Sequence, residues 1–174
     1  MKRYLILVGL VYVLVGCADT HKIIRQDVVK DFRITPNDKI CISVPIDGLY
    51  RARVYKGSGE NTSRIIYSEF MKRSRMVKLS AAFQEFEAVQ EEAKSANCKY
   101  LVHSTILNWE DRATEWSSIP DKVEIKIEII ETLTSNTMLL TIIKGTSGVA
   151  TLGGDHPQDL LLSPIGKFVS SLYF

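Results

Sequence analysis

Between Lys122 and Ile130 the apolar residues Val123, Ile125, Ile127 and Ile129 alternate with Glu124, Lys126 and Glu128. Successive side chains of a strand point to opposite faces, so this stretch predicts a strand that is dry on one face and wet on the other. Such a strand belongs to a sheet with antiparallel neighbours and one face covered. Thr134-Ser135-Asn136 then supplies a turn, and Thr137 to Lys144 a return strand.

The preceding residues mix strands with helices. Lys39 to Pro45 is a short β-branched run closed by proline, which predicts a buried strand. Ile65, Ile66, Phe70 and Met71 recur at helical spacing within Thr62 to Arg73, with Lys72, Arg73 and Arg75 at the negative end of that helix. Met76 to Leu79 predicts a further strand. Ser80 is placed to cap a helix with Phe83, Phe86, Val89, Ala93 and Ala96 on one face, and Asn97 offers a left-handed residue at its end. Tyr100 to Trp109 predicts another strand, and a last helix runs from His156-Pro157 toward Leu172. The expected fold class is α/β (α+β), in the order β-α-β-α-β-β-β-α. It has a mixed sheet of about five strands, parallel in its first part and an antiparallel meander in its second, with the helices on one face.

A chain of 174 residues suits one such domain, and 45% hydrophobic with 24% charged residues argues against disorder. The net charge of +2 is too small to imply a nucleic-acid partner.

The first seventeen residues are of a different kind. Met1-Lys2-Arg3 is a basic start, Tyr4 to Val15 an apolar run, and Gly16-Cys17 its end. Twelve helical residues span about 18 Å, against about 30 Å of hydrocarbon, so the run predicts an export signal rather than a membrane span. Leu14-Val15-Gly16-Cys17 resembles the bacterial lipobox. That resemblance implies a signal peptide at 1–16, lipidation of Cys17, a tether from 17 to 37 and a periplasmic α/β domain from 38 to 174. Three acyl chains on one cysteine make an effectively permanent anchor. Ala18 follows the cysteine where an aspartate would retain a lipoprotein at the inner membrane, which implies the periplasmic leaflet of the outer membrane. Loss of Lys2 and Arg3 with the signal reduces 22 basic residues to 20, equal to the 20 acidic ones.

Three further segments, Tyr55-Lys56-Gly57-Ser58-Gly59, Trp109 to Trp116 and Gly153 to Leu161, together with the lipobox, resemble a family of uncharacterised Gram-negative lipoproteins defined only as a domain of unknown function. More distantly, the element order is similar to the N-terminal domain of TolB and to LpoB, a lipoprotein that activates a peptidoglycan synthase.

Trp109, Glu110, Asp111, Arg112, Glu115 and Trp116 crowd both tryptophans and three acids into eight residues. Aromatic platforms beside carboxylates suit a glycan or protein partner, and two carboxylates placed across a cleft would suit glycoside hydrolysis. Gly57-Ser58-Gly59 lacks the lysine and spacing of a phosphate loop and reads as a helix entry. In Gly153-Gly154-Asp155-His156-Pro157, Asp155 is placed to cap the last helix with Pro157 in its first turn; no metal-ligand spacing is present. Cys41 and Cys98 lie in an oxidising compartment, where a disulfide between them and two buried free thiols both fit.

The sequence therefore predicts no enzyme, cofactor or metal. It predicts a lipid-anchored binding, assembly or regulatory factor of the cell envelope, with an envelope protein or glycan as partner. The alternative is a peptidoglycan-active hydrolase using Glu110 or Glu115, and a third reading is a structural subunit of an envelope complex.

Overall fold

The computed structural model describes residues 19–112, 119–148 and 156–173. Eight strands run in chain order as β1 (Thr20–Asp27), β2 (Ile40–Val44), β3 (Leu49–Tyr50), β4 (Arg53–Val54), β5 (Val77–Phe83), β6 (Tyr100–Glu110), β7 (Lys122–Glu131) and β8 (Thr137–Thr146). Among the described residues three helices join them: α1 (Ser58–Met71) after β4, α2 (Phe86–Ser95) after β5 and α3 (Asp159–Ser170) after β8.

Six strands form one mixed sheet in the order β1-β8-β7-β6-β2-β5, with β3 and β4 as a separate hairpin. β2 is parallel to β5 and to β6, and the remaining pairs are antiparallel. All five residues of β2 are buried, as expected for a parallel strand covered on both faces. On β7 the alternation holds: Val123, Ile125, Ile127 and Ile129 are buried, while Glu124, Lys126 and Glu128 remain half-buried on the other face.

The expected fold class is therefore present, with differences of detail. The stretch expected as a tether contains β1, which pairs with β8 from Thr20–Thr146 to Asp27–Leu139 and makes the sheet six-stranded. Only two of the three helices share a face. Ile66 and Phe70 of α1 and Leu160, Leu161, Ile165 and Phe168 of α3 pack with Ile40, Ile42, Val102 and the buried face of β7. Val89 and Ala93 of α2 pack on the opposite face with Cys41, Leu101 and Ile130. The parity of β2 and β6 explains this, since Ile40 and Ile42 face one layer and Cys41 the other.

Cys41 and Cys98 are bonded, with their Cα atoms 5.8 Å apart, tying β2 to the start of β6. Helix α1 begins at Ser58 rather than Thr62, and β5 continues to Phe83. Ser80, expected as a cap, lies within that strand and donates to Glu92 instead. At the last helix, Gln158 is the N-cap and Pro157 precedes the first turn; Asp155 lies outside the described residues. Asn97 adopts the expected left-handed conformation, φ 54°.

Candidate functional site

The site begins with an irregularity in β6. Ile106 pairs with Ile125, but Asn108 pairs with Glu124, so one residue, Leu107, is extra. Such a bulge inverts the alternation downstream. Trp109 is thereby turned onto the core face opposite Val123, where only 2% of it is exposed. Gly48 lies against it: a Cβ there would stand 2.6 Å from the Trp109 Cβ. That close approach seats the β3–β4 hairpin on the final turns of β6.

A second device fixes the hairpin to α1. The Asp47 carboxylate accepts from the Gly57 N–H at 3.1 Å and the Gly59 N–H at 2.9 Å, and the Gly48 N–H donates to Ser58 Oγ at 2.8 Å. The free amides that make a helix N-terminus attractive to a phosphate are here occupied by the chain's own carboxylate. Gly57 takes φ 85°, which suits glycine, and a Cβ on Gly59 would meet the Pro45 carbonyl oxygen at 2.2 Å.

Between these elements lies a cleft of about 470 Å³, lined by Arg53, Val54, Tyr55, Lys56, Ser58, Asn61, Trp109, Asp111, His156 and Gln158. The three segments singled out separately in the sequence thus converge, with contacting residues 45 to 56 positions apart along the chain. Tyr55 Oη donates to the Asp111 carbonyl at 3.3 Å, and His156 Nδ1 stands 3.8 Å from Asp111 Oδ2. The Arg53 guanidinium lies 4.8 Å from the centroid of the Tyr55 ring.

The other expected residues divide. Glu110 is held by Arg112 at 2.5 Å and by Asn108 at 3.0 Å, and does not line the cleft. Arg112 also lies 5.4 Å from the Tyr50 ring, and its N–H donates to the fully buried Asp121. Both side chains therefore organise the end of β6. Cys17, Glu115 and Trp116 lie outside the described residues. Sequence reasoning missed Arg53, Lys56, Asn61 and Gln158 as lining residues, and Asp47 and Asp121 as their supports. Arg53 and Lys56 flank Tyr55 in a segment without acids, the one signal that pointed to them.

Chemically the cleft offers two cations, two carboxamides, a phenol, an imidazole and one carboxylate. Donors outnumber acceptors, which suits a polar or anionic group of modest size. Among the described residues Asp111 is the only carboxylate lining it, and no group of three His, Cys, Asp or Glu side chains is placed to hold a metal.

Residues 32–172 match the family model described as a domain of unknown function, DUF4823. The chain belongs to this family. No curated protein matches it. Among solved structures, the PelC dodecamer from Paraburkholderia phytofirmans superposes with a TM-score of 0.69 at 14% identity, covering 88% of this chain and 97% of that one. That likeness establishes a shared fold. Weaker matches are XCC0632 from Xanthomonas campestris, at 12% identity over 81% of this chain and 91% of that one with a TM-score of 0.47, and lipoprotein GNA1162 from Neisseria meningitidis, at 9% identity over 76% and 98% with a TM-score of 0.48.

Proposed function

We propose that this DUF4823 chain is a lipid-anchored lipoprotein of the outer membrane's periplasmic leaflet, acting by binding as an assembly or regulatory factor of the cell envelope. The observation that carries the reading is the convergence of three distant segments on one donor-rich cleft. Behind it stands the lipobox at Leu14 to Cys17. Three described carboxylates near the cleft are committed to structure, Asp47 to a helix terminus, Glu110 to Arg112 and Asp121 to the backbone of Arg112, which leaves Asp111 as the one described carboxylate that lines it. This arrangement favours recognition over hydrolysis, which needs one carboxyl to donate a proton and another to attack or activate water.

The anchor is tested by Cys17→Ser, which releases the protein from the membrane fraction; unchanged membrane association refutes it. Incubation of the purified protein with peptidoglycan tests the hydrolase alternative, and release of soluble fragments would replace the binding reading with it. A second reading, a self-associating structural subunit, is favoured by the PelC fold, which its crystal structure records as a dodecamer. A high-order oligomer in light scattering supports it, and a monomer excludes it.

A further inference from the structure

We infer that the end of the sheet carrying the β3–β4 hairpin rests on the membrane surface, with Leu49 and Val54 against lipid and Arg51 among the phosphate headgroups, while Arg53 and Lys56 keep to the cleft beside it. The inference rests on the reading of Cys17 as the lipid anchor and adds an orientation to it.

The geometry starts at Asp19, the first described residue. Its carboxylate accepts from the Gly148 N–H at 3.1 Å, and Thr20 pairs with Thr146, so the chain enters the sheet at the C-terminal end of β8. Thr146 lies beside Lys122, and Lys122 beside Glu110, which places the entry at the same end as the close of β6. Cys17 lies two residue steps before Asp19, with Ala18 alone between them, a reach of at most about 7 Å. A lipidated Cys17 therefore holds this end, and no other, at the bilayer.

The hairpin is built for that position. It is seated at the close of β6 by Gly48 on Trp109 and by Tyr55 on the Asp111 carbonyl. Ile46, Leu49, Val54 and Phe83 are all large, apolar and 43–60% exposed, and with Pro45 they line a groove of about 570 Å³ beside it. From Gly48 to Gly59 the chain carries Arg51, Arg53 and Lys56 and no acid; the two acids that bound this segment and also line the groove are paired, Asp47 with the Gly57 and Gly59 amides and Glu60 with Arg64. Apolar residues and tyrosines flanked by cations are the composition of a segment lying in the interface of an anionic membrane. The far end of the sheet, about 30 Å away along β7, also exposes apolar residues, Leu133 at 87% above all. Apolar exposure alone therefore does not choose between the ends; the anchor position does.

The test uses the full lipidated chain in phosphatidylethanolamine–phosphatidylglycerol vesicles containing nitroxide-labelled lipid. A fluorophore is placed on Leu49→Cys in one sample and on Leu133→Cys in another. We expect at least twofold quenching at position 49 and none at position 133. Flotation with the vesicles without quenching at 49, or with stronger quenching at 133, overturns the orientation while leaving the anchor intact. Failure to float overturns the anchor and the orientation with it. In a Leu49→Asp/Val54→Asp chain labelled at Tyr50→Cys, with a circular dichroism spectrum matching the parent, we expect flotation to persist and quenching at 50 to fall at least twofold against Tyr50→Cys alone. Unchanged quenching there overturns the role of these two side chains.

Discussion

Asp47 does for α1 what a bound anion would otherwise do, and it shows how a polar residue ten positions before a glycine turn can define a site. Removing it as Asp47→Ala leaves the Gly57 and Gly59 amides without their acceptor. The expected loss is about 1–2 kcal/mol of unfolding free energy in a urea titration, with Asp47→Asn intermediate. His103 is the second residue with a measurable consequence. Burial holds its pKa below the usual 6.5, with Lys126 adding to the effect and Glu128 opposing it. The neutral ring lies 3.2 Å from Ser43 Oγ and edge-on to Phe86. Because the unfolded chain takes up that proton more readily, stability is full above about pH 6.5 and declines as the pH falls through the lowered folded value. Denaturation midpoints of His103→Gln should show a shallower decline between pH 7 and 5 than the parent. Neither residue was legible as a support in the sequence, because each acts through partners 10 to 60 positions away.

At the scale of elements, legibility followed length and periodicity. The helices and β6 to β8 are long enough for a period of 3.6 or 2 to emerge from their sequences. β3 and β4 have two residues each and present no period at all. β1 failed for another reason: its sequence, Thr-His-Lys-Ile-Ile-Arg-Gln-Asp, is largely exposed and mixed in polarity, as an edge strand can be when backbone pairing rather than burial holds it. Deleting Thr20 to Asp27 uncovers β8 as a new edge, and light scattering should then report association that the parent lacks at equal concentration. The disulfide belongs to this scale too. It spans 57 residues, a separation for which chain entropy alone assigns about 4 kcal/mol. Adding reductant, or substituting Cys98→Ser, should lower the urea midpoint accordingly; no change would show that the bond leaves stability untouched.

For the whole molecule, the arrangement is a sheet whose one end gathers the chain entry, the hairpin and the cleft. The sequence segments that make the cleft were each readable, yet the bulge that turns Trp109 inward and the capping that seats the hairpin were not, so their meeting had no signature along the chain. Central to the account is that this cleft engages a partner in the envelope. The most direct measurement places a photo-crosslinking amino acid at Lys56 or at Leu133 of the full chain in living cells and identifies the adducts by mass spectrometry. The account predicts a defined protein or glycan adduct at position 56 that is absent at 133 and weakened by Arg53→Ala or His156→Ala. Identical adducts at both positions, or none at 56, would contradict it.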